Sequence, residues 1–470
     1  MISPSNKDPF PMTSPNSPDV SHRTWLKKIE LRNYRCFGQV IVDLDERLTV
    51  LIAKNGAGKS SVLDAIATAF GTFVGSFHTG KRGGIDNEDV MLVQTKSLIV
   101  EMEPQYPAAI LATGEVDGRQ IAWARWLNTP KSGTTVKEAS ALTAIGKQMQ
   151  KSVTDKQPAL LPLIAYYGTG RLWNQKKKTE KKVFESEFYS RTAGYQDCLD
   201  PASSYKFFED WFRYAARADS DLRNQQRERL GSRYVEMDTA YSPLIEAIRQ
   251  AVDECLGISG WHNLRWSFTH QSVVMEHVDH GVLQVGQLSD GVRNMIALVA
   301  DVAYRMARIN SDLGREAAKK TPGLILIDEV DMHLHPEWQQ LVLQSLMDAF
   351  PRVQFVVTTH SPQVISSIRR EHVRLMDENM EGESVAAIPT ARTYGRSNAE
   401  VLQSVMGVTP EPTLPESEEL KRYMATIEQA DWRDDEIVKL RETLELALGA
   451  DHPALVRADM IIRRREALAR

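Results

Sequence analysis

Cysteine is scarce in this chain. Three occur in 470 residues, Cys36, Cys198 and Cys255, and none forms a Cys-x-x-Cys pair. That usage supports neither a disulfide framework nor a cysteine-based zinc site. Long apolar runs are also missing: no stretch approaches the roughly 20 residues a membrane helix needs, and the N-terminal segment has no apolar leader region. The expectation is a cytoplasmic protein without membrane contact. Basic charge is not in excess either. Lys and Arg total 57 against 62 Asp and Glu, a net charge of −5. This excludes a uniformly basic coat for nucleic acid but leaves room for a local basic groove. Finally, the roughly 110 residues after His360 contain no Glu…Asp-x-Asp cluster, so a two-metal nuclease would lack its ligands. His333 and His335 alone do not make one.

What the chain does have is a short, dense signal near its start. The apolar run Leu48-Thr49-Val50-Leu51-Ile52 leads into Ala53-Lys54-Asn55-Gly56-Ala57-Gly58-Lys59-Ser60, and a helical pattern follows from Ser61. Strand, glycine-rich turn and helix start form the context in which backbone N–H groups cradle phosphates. Asn55, Gly56, Ala57, Gly58, Lys59, Ser60 and Ser61 are therefore the candidate nucleotide-binding residues. Lys59 would reach the outer phosphates and the Ser60 hydroxyl would face Mg²⁺, with ATP as the substrate. Ala53 stands where the motif usually has its first glycine.

Two apolar runs end in chemistry. Leu324-Ile325-Leu326-Ile327 stops at Asp328-Glu329, reading as a buried parallel strand whose end enters the site. Asp328 would hold Mg²⁺, and Glu329 would orient and deprotonate the attacking water. About thirty residues on, Phe355-Val356-Val357-Thr358-Thr359 stops at His360. A histidine there can sense the γ-phosphate or the lytic water. Between loop and acid strand, Leu288-Ser289-Asp290-Gly291-Val292-Arg293 opens a helical run. Ser289 or Asp290 suits the cap, and Ser289, Asp290 and Gly291 make a second anion site at a helix N-terminus. Asp331-Met332-His333-Leu334-His335-Pro336 has no third ligand nearby and reads as a turn rather than a metal pair.

The order phosphate loop, Ser-x-Gly, acid strand, histidine resembles the ABC ATPase superfamily. The opening Ile29 to Phe37 and the segment Asp328 to Pro336 are similar to its SMC/RecF/OLD branch, whose heads act on nucleic acid. The resemblance implies an α/β fold: an ABC-type, SMC/RecF-like P-loop ATPase head spanning 24–390. It carries a mostly helical insertion at about 131–265, a disordered tail at 1–23 and a C-terminal helical region at 391–470. The insertion lacks sustained heptads, so a globular unit is expected and not a long coiled coil. The resemblance also implies that Ser289, Asp290 and Gly291 meet the nucleotide of a second subunit, and that Arg35 contacts nucleotide or DNA. Gln94 is the nearest match to a glutamine completing Mg²⁺ coordination.

Three further segments resemble the Septu-type anti-phage ATPases, including those encoded beside retron reverse transcriptases: Ala165 to Trp173, Leu288 to Arg293, and Thr393 to Asn398. Such ATPases act with an HNH nuclease subunit. The implied partners are thus a second copy or a higher homo-oligomer, an HNH nuclease subunit, a reverse transcriptase with its multicopy single-stranded DNA, and nucleic acid. Lys176, Lys177, Lys178, Lys181 and Lys182, beside Arg171 and Trp173, read either as a solvated loop or as a contact for a nucleic-acid backbone. A RecF-like repair clamp without a nuclease remains the alternative, while the insertion and the Asp331 to Pro336 segment argue against a transporter ATPase. In the tail, the apolar faces Ile437, Leu440, Leu444, Leu448 and Leu455, Met460, Ile461 need partners, on the head or on another subunit.

Overall fold

The computed structural model describes residues 22–54, 56–94, 101–170, 190–201, 206–409, 414–429 and 434–468. The strands, in chain order, are β1 (Trp25–Tyr34), β2 (Phe37–Asp43), β3 (Leu48–Ala53), β4 (Leu92–Gln94), β5 (Met102–Pro104), β6 (Ala108–Val116), β7 (Arg119–Leu127) and β8 (Leu163–Tyr167). Then come β9 (Trp261–Ser267), β10 (Ser272–His277), β11 (Gly281–Gln284), β12 (Gly323–Ile327), β13 (Val353–Thr358), β14 (Val373–Glu378) and β15 (Ser384–Ala387).

β3, β8, β12 and β13 are buried along their whole length. Near-continuous apolar runs of this kind, broken only by Thr49, Gln354 and Thr358, suit a parallel sheet covered on both faces. They lie in one six-stranded sheet, in the order β15-β14-β3-β13-β12-β8, parallel except for β15. The parallel register carries the C-terminal ends of β3, β13, β12 and β8 to one edge, and ligands of open α/β sheets bind at that edge. A four-stranded antiparallel sheet, β2-β1-β6-β7, a three-stranded one, β11-β10-β9, and the ribbon β4-β5 accompany it. The fold is thus α/β, with the buried parallel strands ending in the phosphate loop, the acid pair and the histidine set side by side in one sheet, as the motif order implies.

The insertion differs from expectation in one respect. Helices Ser140–Thr154, Lys206–Leu230 and Ser242–Leu256 are there, but β8 interrupts them and forms the edge strand of the central sheet beside β12. Five residues between helical patterns give little periodicity, so only tertiary pairing reveals the strand.

Arg125 on β7 holds three separate segments together. Its buried guanidinium donates to the carbonyls of Thr68 (2.9 Å), Gly83 (3.0 Å) and Thr135 (2.9 Å). The helix carrying Thr68 is Lys59–Val74, so the arginine ties the phosphate-loop helix to its neighbours.

The chain divides into two units, Met1–Gly407 and Val408–Arg470. Residues 391–407, expected to begin the tail, belong to the first. There, helix Asn398–Ser404 is opened by a Ser397–Glu400 capping box. In the second unit, helices Ser417–Gln429, Asp435–Leu448 and Pro453–Leu468 bury Tyr423, Ile427, Ile437, Leu444, Leu455 and Ala458. Leu440, Leu448 and Ile461 pack against this core, whereas Met460 is 65% exposed. The tail's apolar faces therefore find partners in one another. The N-terminal stretch 1–21, Asn55, Arg171, Trp173, Lys176, Lys177, Lys178, Lys181 and Lys182 lie outside the described residues.

Candidate nucleotide-binding site

The loop after β3 turns on glycine. Gly56 and Gly58 have φ of 81° and 84°, a left-handed region costly for other residues. A side chain at Gly58 would also collide with the Phe37 ring and with Sγ of Cys36. The β1–β2 turn therefore presses on the loop from behind. Helix Lys59–Val74 begins at once with Gly58 as its cap residue, leaving first-turn amides for an anion.

Lys59 folds back so that Nζ donates to the Ala53 carbonyl at 3.2 Å. Burial depresses its pKa, an effect partly offset by Asp328 and Glu329. Ser60 Oγ donates to Asp328 Oδ2 at 2.8 Å, joining two residues 268 positions apart. Asp328 itself extends the sheet ladder, its N–H donating to the Tyr167 carbonyl at 2.8 Å. A serine hydroxyl and a carboxylate side by side at a phosphate loop are the donor set that Mg²⁺ takes beside substrate phosphates. The residues present fit that ion.

Glu329 follows with φ of 46°, so its side chain leaves the strand line. Its N–H donates to Thr358 Oγ1 at 2.7 Å. His360, partly exposed, follows β13 by two residues, and its approach is braced. Thr359 Oγ1 donates to Asp331 Oδ1 at 2.5 Å, and Ser361 Oγ donates to Gln339 Oε1 at 2.6 Å. The acid strand, the histidine and the loop thus converge on one sheet edge.

The Ser-x-Gly segment sits elsewhere on the same turn system. Ser289 is the cap residue of helix Asp290–Ile309, but its side chain makes no cap hydrogen bond. Asp290 pairs with Arg293 instead. Gly291 is required by packing: a Cβ there would stand 2.5 Å from the His333 carbonyl. The Asp331 to Pro336 segment is a turn, with His333 left-handed at φ 63° and His335 capping the helix Pro336–Gln339. Among the described residues no group of three or more His, Cys, Asp or Glu is placed to hold a metal ion.

Two expectations are redirected. Arg35 ion-pairs with Asp64 and with Asp89 (2.8 Å), so contact with a nucleotide or DNA requires it to share or release a carboxylate. Gln94 lies exposed on the β4–β5 ribbon, outside the central sheet. The position beside the acid strand falls to the end of β8, at Tyr167 and Gly168. Sequence reading missed Thr358, Asp331 as a brace, and Tyr167. It also missed a cavity of about 270 Å³ beside the phosphate-loop helix. Arg35, Asp64, Asp86, Asp89 and Tyr166 are among its lining residues. Burial raises the Asp64 pKa despite Arg35, and raises that of Tyr166, whose carboxylate neighbours Asp64 and Asp328 add to the shift.

The family model described as "AAA domain" matches residues 28–253, and one described as "AAA domain, putative AbiEii toxin, Type IV TA system" matches 165–366. The chain is 23% identical to the "Retron Vc95 probable ATPase" of Vibrio cholerae serotype O1 biovar El Tor, over 88% of this chain and 86% of that protein. It is 24% identical to the "Septu protein PtuA" of Bacillus thuringiensis, over 43% of this chain and 51% of that protein. The chain is thus similar in sequence to proteins named retron and Septu ATPases. The SMC head domain from Thermotoga maritima aligns over 78% of this chain and 99% of that chain, at 15% identity and a TM-score of 0.40. Among the described residues no helix is long and apolar enough to cross a membrane.

Proposed function

We propose that this chain is the ATP-binding and hydrolysing subunit of a Septu- or retron-type anti-phage defence system. In this reading it controls a partner HNH nuclease through nucleotide-dependent dimerisation of its heads. The observation that carries the nucleotide chemistry is the 2.8 Å contact of Ser60 with Asp328, made where the phosphate loop meets the acid strand. The loop amides and Lys59 bind the phosphates, and the cavity beside Arg35, Asp64 and Tyr166 has room for the nucleoside. Ser60 and Asp328 would hold Mg²⁺, which supplies charge neutralisation on the phosphates. Water attacks the γ-phosphorus, its proton passes to Glu329, and the bond to the bridging oxygen breaks to release ADP. His360 monitors the leaving phosphoryl group.

Ser289, exposed and uncommitted to capping its own helix, supports a role in binding the nucleotide of a second copy. ATP then favours the closed pair through contacts the open one lacks. The retron and Septu relatives support the defence setting. Lys59→Ala should abolish ATP binding. Glu329→Gln should bind ATP yet hydrolyse it about a hundredfold or more slowly, and Ser289→Arg should block dimerisation while monomers still bind. Phosphate release, fluorescent-ATP titration and sedimentation check these outcomes. Wild-type turnover in Glu329→Gln would refute the assigned base. Incubated with plasmid, Mg²⁺ and ATP, the pure chain should cut nothing, and cleavage should require the nuclease partner.

A further inference from the structure

We infer that Thr358 is the positioning residue of the hydrolytic site, setting the metal-binding carboxylate and the base from the neighbouring strand. This rests on the ATPase reading above and assigns a role to a residue that the motif reading left without one.

Thr358 is the last residue of β13 and is fully buried. Its hydroxyl donates to Asp328 Oδ1 at 2.5 Å and accepts from the Glu329 N–H at 2.7 Å. Its carbonyl accepts from the Val330 N–H at 3.0 Å. One residue therefore holds three consecutive residues of the acid loop. The two bonds of the hydroxyl have different consequences. The first fixes the rotation of the Asp328 carboxylate, so that Oδ2 meets Ser60. The second secures the amide of Glu329, whose left-handed backbone is unfavourable for a residue with a side chain and persists only where its surroundings over-determine it. Without the hydroxyl, Asp328 loses a donor and Glu329 loses the bond that holds its turn. Partners that orient ligands in this way typically govern about 10- to 100-fold in metal affinity or activity.

The test compares Thr358→Val, which keeps the shape and removes the hydroxyl, with Thr358→Ser, which keeps the hydroxyl. Fluorescent-ATP affinity is measured in EDTA and across a Mg²⁺ titration, alongside kcat and KM. In EDTA both variants should bind within about twofold of wild type, since the loop amides are untouched. With Mg²⁺, Thr358→Val should lose about 10- to 100-fold of the affinity gain the ion confers, and kcat should fall similarly with little change in KM. Thr358→Ser should stay within about threefold of wild type. In a Glu329→Gln background the valine substitution should cost kcat much less, because the base it positions is already gone. If Thr358→Val does not fold, Thr358→Ala enters the same comparison. A folded valine or alanine variant with wild-type Mg²⁺ dependence and kcat overturns the inference, as does a serine variant equally impaired. If the wild type itself binds no ATP, the ATPase reading fails and takes this one with it.

Discussion

Chemistry that depends on close sequence neighbours was readable one residue at a time. The glycines, Lys59 and Ser60 belong to one turn, and the roles proposed for them come from spacing alone. Thr358 could not be read this way, because a threonine ending an apolar strand is ordinary until its register against Asp328 is known. The cysteines offer a direct check of residue environment. Cys198 and Cys255 are buried while Cys36 is exposed. Burial pushes the Cys198 thiol up to about 12 and raises Cys255 as well. Thiolate is the reactive form, so both should be inert at neutral pH. Maleimide labelling of the native chain should modify Cys36 alone, as read by peptide mass mapping. Because Sγ of Cys36 stands where a side chain at Gly58 would be, saturating ATP should slow that reaction. Labelling of Cys198 at a comparable rate would show that its surroundings are open.

At the scale of elements, a buried polar bridge links the Ser-x-Gly helix to the sheet. Arg305 Nε donates to Asp301 Oδ2 at 2.7 Å, and Tyr167 on β8 donates to the same oxygen at 2.8 Å. Arg305 also donates to the carbonyls of Gly194 and Gln196. Burial alone would depress the arginine pKa, but Asp301 carries it above its ordinary value. Since the Tyr167 carbonyl accepts from Asp328, helix Asp290–Ile309 is joined through β8 to the acid strand. Arg305→Met should therefore destabilise the first unit by about 3–5 kcal/mol, because it leaves the Asp301 charge buried and unpaired. Asp301→Leu combined with Arg305→Met should cost less than the sum of the single changes. Denaturant unfolding of the three variants measures the coupling, and strict additivity would show the pair is not a unit. No periodicity announces such a bridge. Its members come from β8, the helix and a loop more than 100 residues away, and only folding brings them together. The missed strand β8 and the three carbonyls held by Arg125 have the same cause.

The whole molecule poses the question of how far the nucleotide machinery extends. Every residue assigned to the site, from Arg35 to His360, lies in the unit ending at Gly407. That unit owns the six-stranded sheet and the core around it. The second unit has its own buried residues and its own polar brace. Arg441 pairs with Glu445 and Asp459, and donates to the Leu455 carbonyl at 3.1 Å. Two units with separate cores should be separable in folding. A chain ending at Gly407 should accordingly remain folded, bind fluorescent ATP within about twofold of the full chain, and retain the Mg²⁺ dependence argued for Thr358. Its sedimentation with ATP then reports on the tail. A truncated chain that still pairs places the pairing surface on the head, as the Ser289 reading requires. One that binds ATP normally but stays monomeric would move that surface to residues 408–470 and overturn the proposal that Ser289 closes the site. Loss of ATP binding itself, in a chain that is otherwise folded, would mean that the helical unit supports the phosphate loop in a way its separate core gives no reason to expect.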